Sequence, residues 1–398
     1  MTGLHKDAPM LGSKRKILYV CTEDWFFHSH FLPLIEAAKL SEFDNIFLAT
    51  SIGSKYKEIE QRGVKVVSVD FERASKGFFS TLKLLRQLKY AIHAIEPDII
   101  HFISLKPVLV GGLASLFYRT PAKVFHITGL GTLGEGNARK HKLQRALMFR
   151  LPALYLRQKN SELLVENPDD VEDLKRYGLA PDTPVTVLGG AGVDPGLFPD
   201  LSLRPAAAGR LKPVTLAFVG RMIKTKGVDV LVKAMAFPAV NALNVKLDLY
   251  GMPDPANPGS YSLETIKSWS NGTNVTYQGF SADIVTVWKN SDICVVPTRT
   301  REGLPRAMLE AAACARPLIV TDVPGCRHFV QNGIQGLVVP PEDAHALATA
   351  IAKLANDPKL RATMGKAARQ RVLDAFTKTH VITDVAKAYD RLLHSQRP

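Results

Sequence analysis

Short apolar runs rich in Val and Ile recur along the whole chain, separated by longer stretches whose apolar positions follow a helical spacing. In the first half the runs are Lys16–Cys21, Ile46–Ala49, Val64–Val69, Ile99–Phe102, Lys123–Ile127, Leu163–Val165 and Val185–Leu188. The second half repeats the rhythm with Val214–Val219, Val245–Tyr250, Val275–Gln278, Ile293–Val296, Leu318–Thr321 and Leu337–Val339. Unbroken β-branched runs spaced by helices predict parallel strands buried on both faces. Such alternation builds doubly wound α/β domains, which bind ligands at the carboxyl ends of their strands.

The rhythm breaks near the middle. Gly189, Gly190 and Gly192 precede Asp194-Pro195, and a low-complexity run from Arg204 to Arg210 includes three consecutive alanines. A Gly- and Pro-rich stretch between two α/β patterns reads as a linker. The expected division is a disordered leader at 1–13, a first domain at 14–195, a linker at 196–212 and a second domain at 213–376. A last helical segment, 377–398, is expected to pack back toward the first domain. Two doubly wound domains facing each other across a cleft is the predicted architecture.

Composition adds mainly exclusions. At 398 residues the chain has room for two or three domains of about 150 residues. With 46% hydrophobic and 22% charged residues it is ordinary globular protein. Cys21, Cys294, Cys314 and Cys326 are too scattered for a disulfide framework or a C-x-x-C metal site, which points to a reducing, cytoplasmic compartment. No apolar run reaches the length of a membrane span, and the leader lacks the apolar centre of a secretion signal.

Charge is unevenly placed. Of a net +14, the stretch from Arg73 to Lys159 carries 15 Lys or Arg against 3 acids, a surplus of 12. Solvated helix faces are the plain reading, but so uneven a surplus implies an anionic partner.

Candidate chemistry concentrates in the second half. Gly220-Arg221 closes a strand and Lys226-Gly227 opens the next helix, so two cations meet a helix N-terminus, an arrangement suited to a diphosphate. A surface Arg and Lys on a loop is the alternative. After the strand Ile293–Val296 comes Arg301-Glu302-Gly303-Leu304-Pro305-Arg306-Ala307-Met308-Leu309-Glu310, with a helix expected to begin near Leu304 and Glu302 at its mouth. Glu310 lies a little over two turns on, where burial of a carboxylate requires a hydrogen-bonding partner such as a ribose hydroxyl.

Glu302 and Glu310, separated by seven residues in the E-x7-E pattern, resemble the signature of retaining GT-B glycosyltransferases of family 4. The resemblance extends through Ala311-Ala312-Ala313, Pro317–Arg327, Gly336–Pro341, Gly220-Arg221, Lys226-Gly227 and Asp254–Pro258, about 170 residues of the second domain. It implies a GT-B fold of two Rossmann-like domains and a nucleotide-sugar donor, with no bound metal or other cofactor. By the same resemblance Arg221 and Lys226 hold the donor diphosphate, and Glu310 binds the ribose. Glu302 then meets the transferred sugar, Gly303 and Leu304 offer backbone N–H groups, and Gly220, Gly279 and Phe280 complete the nucleotide site.

The first domain is expected to choose the acceptor. After its first strand comes Thr22-Glu23-Asp24-Trp25-Phe26-Phe27-His28-Ser29-His30-Phe31-Leu32-Pro33-Leu34, without the glycine-rich loop many relatives carry. This pattern resembles the subgroup that builds capsular, exopolysaccharide and lipopolysaccharide chains. Phe26 and Phe27 suit helix-start packing, and His30 suits the cleft. Relatives often place a His just before Gly129, where this chain has Thr128, with His126 two residues earlier on the same strand face. His126 either lines the cleft as a catalytic group or is a core histidine capped by a carbonyl. Gly129 and Gly131 allow close approach to the loop, and Glu135 is a lesser acceptor-side candidate.

Within the basic stretch, Lys76, Lys83, Arg86 and Lys89 interleave with Phe78, Phe79, Leu82, Leu85 and Leu88. Arg139, Lys140, Lys142, Arg145 and Arg150 surround Leu147, Met148, Phe149 and Leu151. The apolar residues suit a core, and the basic ones suit an anionic lipid surface. The expected activity is transfer of a hexose or N-acetylhexosamine, most simply from a UDP-sugar, to a polyprenyl-diphosphate-linked glycan at the inner face of the plasma membrane. The rivals are transfer to a soluble small acceptor and nucleotide-sugar epimerisation on the same fold. A nucleic-acid partner is not expected, because no recognition module is present and Glu302 and Glu310 would have no role.

Overall fold

The computed structural model describes residues 14–71, 78–115, 122–131, 139–202, 212–272 and 274–394. The leader, Lys76, Glu135 and the run from Arg204 to Arg210 lie outside them, as do the side chains of Phe78, Phe79 and Arg139–Arg145.

All thirteen expected strands form. In the first domain they are β1 Lys16–Glu23, β2 Asn45–Ser51, β3 Val64–Ser68, β4 Ile99–Ile103 and β5 Ala122–Ile127. A short β6, Gly129–Gly131, precedes β7 Ser161–Val165 and β8 Val185–Val187. The second domain has β9 Val214–Val219, β10 Val245–Tyr250, β11 Val275–Gly279 and β12 Ile293–Val296. It continues with a two-residue β13, Arg301–Glu302, then β14 Leu318–Thr321 and β15 Gly336–Val339.

Seven strands pair in the order β3-β2-β1-β4-β5-β7-β8 and six in the order β11-β10-β9-β12-β14-β15. Every ladder in both sheets is parallel. Strand order reverses at β1/β4 and at β9/β12, and a crevice opens at such switch points. Helices cover both faces of each sheet, and every residue of β4, β5 and β7 is buried, the polar His101, Lys123, His126, Ser161 and Glu162 included.

The sequence pattern does not announce β6 and β13. They pair antiparallel with each other, Gly129 opposite Glu302 and Gly131 opposite Arg301, so a strand of one domain joins a strand of the other across the cleft. Gly129 lies at φ +106°, and a Cβ there would come 2.4 Å from the Gly303 nitrogen. Only glycine permits both the backbone angle and the approach.

The chain crosses between domains at Gly189–Val193, earlier than the expected 196–212 linker: Phe198 is already buried in the second domain's core. It returns alongside the first crossing, with the Val193 N–H donating to Phe376 O and the Lys378 N–H to Val193 O. The helix Lys378–His394 then lies on the first domain. Val381, Val385, Ala388, Tyr389 and Leu392, spaced to share one helical face, are buried with Ile17, Tyr19 and Leu34. Burying each such aliphatic side chain contributes about 1.5–3 kcal/mol, so the tail is an integral layer of the first domain.

Candidate functional site

At the end of β9 the Gly220 N–H donates to Tyr250 O, and Gly251 at φ +137° sits so close that a Cβ would lie 1.8 Å from the Gly220 oxygen. This packing turns Arg221 outward, where its guanidinium pairs with Asp254 at 2.6 Å and stays half exposed. A single helical turn, Lys224–Lys226, then leads through Gly227 at φ +70° into the helix Val228–Met235. A Cβ on Gly227 would come 1.9 Å from Pro297 O. The glycine therefore lets the helix start against the end of β12.

Lys226 is thereby aimed at Glu302, Nζ to Oε2 at 2.5 Å. The other Glu302 oxygen accepts from Thr298 Oγ1 at 2.5 Å. Both charged side chains remain partly accessible, 24% and 17%, so the pair is not sealed from solvent. Arg299 grips Asp229 through two hydrogen bonds, fixing the loop after β12 to the same helix.

Glu302 lies in β13, and the following helix is Arg306–Ala313 with Pro305 as its N-cap. The expected placement at a helix mouth near Leu304 is therefore corrected: Pro305 delays the helix, and the cross-domain strand pairing holds Glu302 extended. Glu310 is within that helix, 6% exposed. Burial raises its pKa, and the Arg306 guanidinium, one turn back at 2.7 Å, opposes that rise.

The expectation for Leu304 is also corrected. Its N–H donates to Glu166 Oε2 at 2.8 Å, so it is not offered to a phosphate or sugar. Gly303 is wedged between domains, since a Cβ there would meet Glu166 Oε2 at 2.0 Å and Thr128 O at 2.7 Å.

A cavity of about 430 Å³ opens beside Arg221. Gly220, Arg221, Tyr250–Pro255, Phe280, Ser281 and Ile284 line it from the second domain, and Trp25 lines it from the first. Gly279, at φ +73°, turns the chain so that Phe280 stands 75% exposed at its edge. Aromatic and apolar walls with a few convergent polar groups suit the base and ribose of a nucleotide.

On the first-domain side His30 ends the helix Asp24–His30 and faces the cations of the other domain. Burial, then the charges of Arg306 and Lys226, push its pKa down to about 4, so the ring is neutral at physiological pH. Arg306 also hydrogen-bonds the Ser29 carbonyl. Thr128 is partly buried between β5 and β6, its carbonyl against Gly303.

His126 does not line the cleft. It is 1% exposed, packed edge-on to Phe31 and tilted against His101, and burial pushes its pKa down to about 3. Phe31 and His101 pack against the His126 ring, so the cleft-lining alternative is corrected in favour of the core one. Neither ring nitrogen finds a hydrogen-bond partner, and the nearest charge is Glu166, 3.8 Å away.

The sequence reading passed over Trp25, Glu166 and the ion pairs of Arg301 with Asp170 at 3.1 Å and Asp173 at 2.5 Å. A signal for the last two was present: Glu166-Asn167-Pro168-Asp169-Asp170 follows a strand end and reads as a helix cap rich in acids. Among the described residues, no three His, Cys, Asp or Glu converge on a point where a metal ion could be held.

Two family models match the chain: "Glycosyl transferase 4-like" over residues 16–159 and "Glycosyl transferases group 1" over residues 203–371. The chain belongs to this family of glycosyltransferases, and is a transferase enzyme with the GT-B fold. It is 27% identical over 373 residues to N,N'-diacetylbacillosaminyl-diphospho-undecaprenol alpha-1,3-N-acetylgalactosaminyltransferase of Campylobacter jejuni, covering 92% of this chain and 96% of that one. With the capsular polysaccharide biosynthesis glycosyltransferase CapM of Staphylococcus aureus it shares 26% identity, covering 86% and 89%. Among solved structures, HepE of Anabaena in complex with UDP superposes with a TM-score of 0.73 at 20% identity, covering 94% of this chain and 100% of that one.

Proposed function

We propose that the protein is a retaining glycosyltransferase that moves a hexose or N-acetylhexosamine from a UDP-sugar to a polyprenyl-diphosphate-linked glycan during synthesis of a bacterial surface polysaccharide. The observation that carries this is the Lys226–Glu302 pair, set between the Arg221 cavity and the first domain's His30. A diphosphate reaching from that cavity would meet Arg221 and Lys226, and the attached sugar would meet Glu302.

In the reaction the bond from the anomeric carbon to the diphosphate oxygen breaks, and its electron pair leaves with the nucleoside diphosphate. An acceptor hydroxyl forms the new bond on the same face and releases its proton to the departing phosphate. Charge grows on the leaving group while the sugar becomes oxocarbenium-like, so fixed cations at the diphosphate contribute most. Arg221 and Lys226 supply that charge in this reading without a metal ion. The two curated relatives, one acting on a diphospho-undecaprenol substrate and one in capsular polysaccharide synthesis, support the acceptor class.

The basic layer supports a lipid-linked acceptor. The helices Phe78–Ile95, Leu105–Ser115 and Arg139–Tyr155 pack side by side over one face of the first sheet. Their outer side presents Lys83, Arg86, Lys89 and Arg150 with the exposed apolar Tyr90, Leu113, Leu147 and Leu154. Cations among exposed apolar groups suit the surface of an anionic bilayer. This would seat the enzyme peripherally on the inner face of the plasma membrane. Among the described residues no helix is long and apolar enough to cross one.

The test is a thermal-shift screen with UDP-, GDP-, ADP- and dTDP-sugars, followed by transfer assays on polyprenyl-diphosphate glycans with and without EDTA. Stabilisation by UDP-sugars alone, with EDTA-insensitive transfer and an α-linked product from an α-linked donor, is expected. Stabilisation by none of the four would overturn the reading.

A further inference from the structure

Glu166 follows β7 in the first domain, directly before Asn167, whose side chain caps the helix Pro168–Arg176 by accepting from the Asp170 N–H at 3.0 Å. Its carboxylate is buried at 6% exposure, yet its hydrogen bond runs across the domain boundary to the Leu304 N–H at 2.8 Å. Burying an ionisable carboxylate is costly compared with an amide or hydroxyl. Fixing this one backbone group, two residues from Glu302, is what the structure shows for that cost.

The segment 301–306 has further anchors in the first domain, beside the bonds of the Glu302 carboxylate to Lys226 and Thr298 of its own domain. β13 pairs with β6, Arg301 pairs with Asp170 and Asp173, and Arg306 bonds the Ser29 carbonyl. The diphosphate side is held differently. Arg221 pairs with Asp254, and Gly227 packs on Pro297, all within the second domain. Opening the cleft would therefore free the backbone of 301–306 from its first-domain anchors, leaving the Glu302 carboxylate only its bonds to Lys226 and Thr298, and would leave the Arg221 cavity's second-domain walls in place.

Resting on the transferase reading above, we propose that Glu166 is a positioning residue. By holding the Leu304 N–H across the cleft it orients Glu302 and Gly303 toward the donor sugar, and it makes that orientation conditional on closure of the two domains. Nucleotide binding and sugar positioning are then separable: the first rests on the second domain, the second on both.

The experiment uses the full-length protein with Glu166→Ala and Glu166→Gln. It measures UDP affinity by calorimetry, UDP release from the nucleotide sugar that stabilises the native protein, and hydrogen exchange over residues 299–308. In Glu166→Ala we expect UDP affinity within threefold of native, kcat lowered roughly 10- to 100-fold, and exchange at Leu304 at least tenfold faster. Glu166→Gln, which retains a carbonyl acceptor, should recover kcat to within about fivefold. Unchanged exchange over 299–308 in Glu166→Ala overturns the proposal, and so does faster exchange with native turnover. Equal loss of UDP affinity and kcat in both variants, with a lowered Tm, also overturns it by showing a purely structural role. A native protein that binds no nucleotide sugar overturns the transferase reading itself, and this proposal with it. Native nucleotide binding with unaltered Glu166→Ala kinetics overturns this proposal alone.

Discussion

The two domains share a strand order and handle their polar groups in opposite ways. In the second domain the charged side chains stand at strand ends in short-range pairs: Arg221 with Asp254, Lys226 with Glu302, Arg306 with Glu310. Each pair keeps one member at least partly accessible, so a ligand can exchange with it. In the first domain His30 and Trp25 reach the cleft, but the other chemistry-bearing groups near it are sunk beneath it. His126 and His101 are buried and neutral, and Glu166 is given to a backbone N–H of the other domain. The second domain presents partly accessible charged pairs at the cleft, whereas the first supplies a wall and an anchor there and carries exposed cations on an outer helical layer.

The comparison can be broken most directly at Lys226. Lys226→Ala should lower kcat roughly 10²- to 10³-fold, the range seen when one preorganised electrostatic contact to a developing charge is lost. The chain should stay folded, because both members of the pair are partly exposed. Near-native turnover in a folded variant would remove the diphosphate assignment.

On the outer layer, changing Lys83, Arg86 and Lys89 together to Glu should weaken binding to phosphatidylserine vesicles at least tenfold, since each cation near an anionic surface contributes about 1 kcal/mol. UDP affinity should not change. A co-sedimentation assay that finds native vesicle binding would detach the basic stretch from any membrane role.

Glu310→Ala is expected to weaken UDP affinity about tenfold, the loss of one or two hydrogen bonds to a charged group. If calorimetry shows native affinity, the buried carboxylate serves Arg306 alone.

The smallest effect concerns the buried anchor. Burial, reinforced by the charges of Asp170 and Glu302, raises Glu166 from its ordinary 4.5 to about 7. The folded state therefore binds this proton more tightly than the unfolded chain does. Its stabilising contribution is complete below pH 4.5 and is lost as pH rises to about 7, on the order of 3 kcal/mol in all. Glu166→Gln removes that dependence, so its Tm should gain a few degrees on the native protein between pH 4.5 and 8. Asp170, held near 6, and the neutral His126 are present in both proteins and cancel in the difference. Parallel Tm curves would contradict the raised pKa.

Much of the molecule was legible in residue order alone. Thirteen strands could be placed within a residue or two, because a strand buried on both faces is predominantly apolar and β-branched. Gly220-Arg221, Lys226-Gly227 and the Glu302–Glu310 spacing marked residues that the fold gathers at one domain's strand ends, since such a cluster draws its members from short, contiguous segments. His30 was placed in the cleft by the same logic. Alternation along β5 did not decide between cleft and core for His126, because it gives a side chain's face and not what covers that face.

The sequence by itself determined two doubly wound domains, the positions of their strands along the chain, and the residues that gather at one domain's strand ends. These follow from local rules: period, β-branching, glycine at turns and caps. Only the tertiary structure decided what spans the cleft. The pairing of β6 with β13, the reach of Glu166 to Leu304 across 138 residues, and the return of Lys378–His394 to the first domain depend on how two finished domains meet. No local pattern encodes such contacts, because each uses ordinary backbone groups and single side chains whose partners are distant in the chain and adjacent only after folding.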